Sequence, residues 1–157
     1  MPDYPGQLEL LNQQLYQAHR NAVAAELTAK GLGEIGHPML LTILKSSLPG
    51  DCQAQRDLAQ LLNISPAAVA NSLKSLERGG YIRREPGARD ARRNRVLLTE
   101  KGKLAVEGCE QAFEAVAVRM LAGFSPEEKK QLACLRHRML QNLQGYHSAP
   151  SQSKEEP

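Results

Sequence analysis

Between Ile64 and Gly102 the chain gathers residues that recognise charge and hydrogen-bonding edges rather than make or break bonds: Ser65, Ala67, Ala68, Asn71 and Lys74, then Arg89, Asp90, Arg92, Arg93 and Arg95. An asparagine amide offers the paired donor and acceptor that meet adenine in a major groove. Arginines reach phosphates, guanine edges or a narrow minor groove. The chemistry these residues imply is non-covalent reading of duplex DNA, with Asn71 and its small neighbours on base edges and the arginines on the backbone and adjoining groove.

Charge placement carries this further than total charge. The net charge is +3, a value many soluble enzymes share. The window from Lys74 to Lys103 holds ten cations against four carboxylates, a net +6, which leaves −3 for the remainder of the chain. A solvated arginine-rich loop would show the same count, so the run gains meaning from the helix beside it.

The elements that must position these residues are legible in the pattern. Ser65 is placed to N-cap a helix whose first residue is Pro66, which has no N–H to satisfy. Val69, Leu73 and Leu76 step by four and three and define its buried face, leaving Ala67, Ala68, Asn71, Lys74 and Ser75 on the other. An ordinary amphipathic helix would carry bulkier Glu and Lys there. Gly79 and Gly80 end the helix, and a strand Tyr81–Arg84 follows. Pro86 and Gly87 open a hairpin, its tip holds Arg89, Asp90, Arg92 and Arg93, and a return strand Arg95–Leu98 runs to Thr99, the cap of the next helix. Asp90 is placed to hold Arg92 or Arg95 in a fixed geometry, and it equally suits the turn itself.

Around this head the chain reads as helix. Leu8, Leu11, Leu15, Ala18, Ala22 and Ala25 form a stripe over about 7–30. Pro38 begins a short helix with Met39, Leu40, Ile43 and Leu44 inward, and residues 54–62 make a third with Leu58, Ala59, Leu61 and Leu62 in the core. A minimal strand at 51–53 lies between those two helices. A long helix from Glu100 to about Leu121 places Leu104, Cys109, Ala112, Phe113, Val116 and Met120 on one side. Ser125, Pro126 and Glu128 restart a final helix carrying Leu132, Leu135, Met139, Leu140 and Leu143. The terminal helices carry more apolar stripe than a small head can cover, which points to burial against a second copy. The expected organisation is a dimerisation region over 7–30 and 100–145, a DNA-binding domain over 36–99 and a disordered tail over 147–157.

At 157 residues there is no room for a second large catalytic domain. No signal peptide or eighteen-residue apolar run is present, so a cytoplasmic protein without membrane contact is expected. Cys52, Cys109 and Cys134 are odd in number and widely spaced, as suits reduced thiols: Cys109 and Cys134 read as core or interface residues and Cys52 as the more exposable one. No phosphate loop, HExxH, GxSxG or paired CxxC occurs, so neither catalysis nor a cofactor is expected. Cys134 and His137, three residues apart, are too few to hold a metal. A winged head docking an acidic protein surface is the alternative from a different class.

The run Val69-x-x-x-Leu73-x-x-Leu76-x-x-Gly79-Gly80-Tyr81-Ile82-x-Arg84, with Asp90-x-Arg92-x-x-x-Val96-x-Leu98-Thr99-x-Lys101-Gly102, resembles the multiple-antibiotic-resistance regulators, the MarR-type winged-helix repressors. The order of elements matches from about Leu8 to Leu143. The resemblance implies a mainly α fold with a small β-hairpin wing, in which a winged helix-turn-helix is flanked by N- and C-terminal dimerisation helices. It also implies a homodimer on a pseudo-palindromic operator, with the Ser65 helix in the major groove and Arg92 at the minor groove, and a small aromatic or phenolic effector between dimer interface and head. The chain departs from the family at Ala70, where Thr or Ser is frequent, and at Gly36 and His37, where Gln and a large aromatic are frequent.

Overall fold

The computed structural model describes residues 4–46, 55–86, 94–144 and 146. Six helices and one hairpin follow in the order α1 (Tyr4–Ala29), α2 (Pro38–Ser46), α3 (Gln55–Leu62), α4 (Pro66–Arg78), β1 (Ile82–Pro86), β2 (Asn94–Leu98), α5 (Glu100–Met120) and α6 (Pro126–Leu143). The chain separates into a compact unit ending at Arg119 and a second beginning at Met120.

In the first unit the core is built where helical periodicity turns leucines and valines inward. Leu40, Leu41, Leu58, Val69, Leu73, Val106 and Cys109 are fully buried, joined by Val23 and Leu27 of α1 and by Ala112 and Val116 of α5. Each such aliphatic side chain contributes roughly 1.5–3 kcal/mol of burial, which holds the short helices together despite their marginal intrinsic stability. The strands pair antiparallel with Ile82 opposite Leu98 and Arg84 opposite Val96.

Several expected core positions differ. Met39, Leu61 and Leu104 are exposed, at 47%, 61% and 68%, while Leu41, Ala105 and Val106 take the inward places. In each case the apolar run is wider than the strip a helix buries, and packing against neighbouring elements decides which of its residues turn inward. Leu8, Leu11 and Leu15 of the α1 stripe are exposed in the single chain, and the helix is anchored by Val23 and Leu27 near its C-terminal end. Cys109 is buried as expected, whereas Cys134 is exposed, because no residue of α6 is buried in the single chain. The strand expected at Tyr81 begins at Ile82, since Tyr81 closes the end of α4. Cys52 and the strand expected at 51–53 lie outside the described residues, as does the tail over 147–157.

Helix boundaries follow local chemistry. Ser65 Oγ accepts from Ala68 N at 3.1 Å, and Ser125 and Glu128 satisfy each other reciprocally, at 2.7 Å from Ser125 N to Glu128 Oε2 and 3.2 Å from Glu128 N to Ser125 Oγ. At the end of α4, Tyr81 N donates to Leu76 O and Gly80 N to Glu77 O, with Gly80 at φ +77° in the left-handed region that glycine tolerates. No described helix is long and apolar enough to cross a membrane.

Candidate nucleic-acid interface

Helix α4 is short because it is defined at both ends, by the Ser65 cap with Pro66 and by the Gly79–Gly80 turn. Val69, Leu73 and Leu76 hold it on the core. Ala67, Asn71, Lys74 and Ser75 are exposed and Ala68 is half-buried, so the expected reading face is presented as one surface. Its side chains are small except for Lys74, which lets the helix backbone approach a base stack closely.

A knot of hydrogen bonds fixes the hairpin to the C-terminal end of α4. Thr99 Oγ1 donates to Gly80 O at 2.6 Å and accepts from Gly102 N at 3.0 Å, so one hydroxyl caps α5 and ties it to the glycine turn. Lys101 Nζ donates to Gly79 O at 2.6 Å and lies 4.4 Å from the centroid of the Tyr81 ring. Tyr81 O accepts from Thr99 N at 3.1 Å, and a side chain at Gly102 would stand only 1.9 Å from that oxygen. The Leu-Thr-x-Lys-Gly run is thus the joint between α4, hairpin and α5.

Tyr81 is buried at 3% exposure, and its hydroxyl donates to Glu34 Oε1, joining the 31–37 loop to the end of α4. Burial, and then the neighbouring Glu34 carboxylate, push the Tyr81 hydroxyl up to about 12. Burial likewise raises the Cys109 thiol to about 11, which marks it as an inert packing group rather than a reactive one.

Arg95 sits within β2 opposite Glu85, half-buried and one pair short of the loop end of the hairpin ladder. Arg83, on the outer side of β1, pairs with Glu85, and Arg84 turns back toward Glu77 of α4 at 3.2 Å. The expected tip residues Arg89, Asp90, Arg92 and Arg93 lie outside the described residues. Sequence reasoning missed Arg78, an exposed cation on the flank of α4, and the Glu34–Tyr81 tie. Arg78 was countable in the charge run. Glu34 carried no signal, since its partner stands 47 residues away. Among the described residues no three His, Cys, Asp or Glu side chains come together as a metal site.

A family model described as the MarR family matches residues 37–93, which span α2 to the hairpin. The uncharacterized HTH-type transcriptional regulator YdgJ of Bacillus subtilis is 36% identical over 104 residues, covering 66% of this chain and 62% of that protein. Among solved structures, the S. aureus MepR–DNA complex superposes with a TM-score of 0.70 at 25% identity, covering 85% of this chain and 94% of MepR. The transcriptional regulator SlyA gives a TM-score of 0.71 at 25% identity over 90% of this chain and 94% of its own. Residues 37–93 match the MarR family, and the fold is that of MarR-type winged-helix regulators. The MarR match falls on the segment whose geometry is described above, and the solved MarR-type folds extend the likeness to the flanking helices. The chain spans about three-fifths of the length of YdgJ and about half that of YwaE, another Bacillus subtilis relative, 33% identical over 88 residues.

Proposed function

We propose that this protein is a DNA-binding transcriptional regulator that represses as a homodimer on a pseudo-palindromic operator. The observation that carries the reading is the exposed, small-residue face of α4 with Asn71 at its middle, rigidly joined to a basic hairpin. Helix α4 enters the major groove, where Asn71, Ala67 and Ala68 meet base edges while Ser65 and Lys74 meet phosphates. The tip residues Arg89, Asp90, Arg92 and Arg93 act at the neighbouring minor groove and backbone, with Arg95 supporting them from β2.

Twofold assembly is supported by apolar surface that a lone chain leaves in water. Leu8, Leu11 and Leu15 of α1 are exposed, and so are Leu135, Met139, Leu140 and Leu143 of α6. Stripes of this kind are buried in helical interfaces. The dimerisation region is accordingly 7–30 with 100–145. Release by a small aromatic or phenolic effector is supported by a cavity of about 540 Å³ in the first unit, bordered by Tyr16, His19, His37, Met39 and Phe113.

An electrophoretic shift with DNA from upstream of the protein's own gene tests the reading. A discrete complex that survives excess unrelated DNA of equal length is expected. Equal competition by the unrelated DNA would contradict it.

A further inference from the structure

We propose that Glu34 and Tyr81 are spacing-determining residues: the hydrogen bond between them fixes α4 against α1, and so sets which separation of half-sites a dimer accepts. The role in spacing rests on the dimeric DNA-binding reading, whereas the bond itself does not.

Two exposed faces of the first unit must be held in register for a dimer to read two half-sites. One is the Asn71 face of α4, and the other is the run of Leu8, Leu11 and Leu15 on α1, which the proposed dimer buries. Successive base pairs advance about 3.4 Å along the duplex and turn about 35° around it, so a small tilt of α4 against α1 moves its contacts off their base pair. Positioning α4 is therefore a matter of specificity as well as of stability.

The loop that leaves α1 is where this tilt is set. It runs from the end of α1 at Ala29 to Pro38 of α2, and Ile35 pins it to the core. A cavity of about 590 Å³, bordered by Gly36, His37, Asn71, Ser75 and Arg78, separates part of this loop from α4, so packing does not fix their angle there. The Tyr81 hydroxyl spans the gap to Glu34, and a carboxylate acceptor makes that bond stronger than one between neutral groups. Tyr81 is 3% exposed, and its backbone serves two further elements: its N–H donates to Leu76 O in the last turn of α4, and its carbonyl accepts from Thr99 N just before α5. Lys101 lies over the same ring and donates to Gly79 O, so the ring cannot swing away without losing that contact too. The Lys45–Glu110 pair also reaches from the head to α5, but both partners are about half exposed and water screens it.

Electrophoretic shifts of the full chain test the role, with the upstream operator and derivatives in which one base pair is added to or removed from its centre. The parent should bind the natural spacing about tenfold or more tightly than either derivative. Tyr81→Phe, which removes the hydroxyl and keeps the ring, should narrow that ratio about threefold or more while leaving base preference within a half-site unchanged. Glu34→Ala should act alike, and Glu34→Gln, whose amide oxygen still accepts, should keep the parent's ratio. Leu44→Ala, a buried change on α2 outside the bonded pair, should lower stability and leave the ratio alone. A parent indifferent to spacing, an unchanged ratio in both Tyr81→Phe and Glu34→Ala, or equal narrowing in Leu44→Ala overturns the proposal while the DNA-binding reading stands. A chain that binds no DNA overturns both. Hydrogen exchange without DNA tests the bond by itself: the amides of Ile35 and Tyr81 should exchange faster in Glu34→Ala than in the parent, and at the parent's rate in Glu34→Gln. Unaltered exchange in Glu34→Ala would show that the bond holds nothing in place, and would overturn the proposal.

Discussion

Arg84 Nε lies 3.2 Å from Glu77 Oε2, so the inner side of the first hairpin strand is held by charge to the last turn of α4. Arg84 is three-quarters buried and its Nε has no aligned hydrogen bond among the described residues, which makes the contact one of charge rather than of a directed bond.

Glu77→Gln leaves the Arg84 charge without its counter-ion at a partly buried position. Stability should fall by about 0.5–1 kcal/mol in urea unfolding, in keeping with a pair that is only partly screened. Glu77→Arg should cost more, and Glu77→Arg combined with Arg84→Glu should recover much of the loss. A double-mutant cycle with zero coupling energy would show the contact to be incidental.

Gly102→Ala tests the joint between reading helix and α5. The added Cβ would stand 1.9 Å from Tyr81 O, a backbone atom already engaged by Thr99 N, so backbone must move. The expected loss is about 2–4 kcal/mol in thermal unfolding, although alanine is the better helix former. Gly36→Ala has open space and an ordinary backbone, and should stay within about 0.5 kcal/mol of the parent.

How far the chain could be read without coordinates follows from which interactions are local. Ser65, Pro66, Gly80, Ser125 and Glu128 act on backbone groups two to four residues away, and each cap was visible from spacing alone. Met39 against Leu41 and Leu104 against Ala105 were not separable, because apolar residues on both sides of a stripe satisfy the same period and only the neighbouring element decides. The exposed small-residue face of α4 was legible because those residues stand opposite Val69, Leu73 and Leu76. The cavity beside it was not, since it forms between α4 and a loop more than thirty residues earlier.

Alkaline pH should destabilise the fold in two stages. Cys109 is raised from 9 to about 11 and Tyr81 from 10 to about 12, so between ordinary and folded values the native state holds protons that the unfolded chain has lost. Their stabilisation is fully present below pH 9 and declines as pH rises through about 12. Tyr81→Phe should remove the upper part of that decline and leave the part belonging to Cys109. Urea midpoints measured across the alkaline range check this, and an unchanged profile in Tyr81→Phe would contradict the assignment.

Base readers and phosphate binders should separate in DNA binding. Asn71→Ala is expected to cost about 1–3 kcal/mol on the preferred operator and to relax sequence choice at one position in each half-site. Lys74→Ala should weaken all sequences alike and reduce the salt slope by about two, one phosphate for each protomer of the dimer. Binding of parent and both variants to an operator library distinguishes the two effects, and uniform loss in Asn71→Ala would remove it from the base-reading group.

The central claim is most directly tested by the salt dependence of binding to the protein's own upstream DNA. If α4 and the arginine-bearing hairpin neutralise phosphates together, the logarithm of the association constant should fall against the logarithm of salt concentration with a slope of about −4 or steeper. A flat response at measurable affinity would mean that no phosphates are engaged, and the account of α4 and its wing as a DNA-reading pair would be wrong.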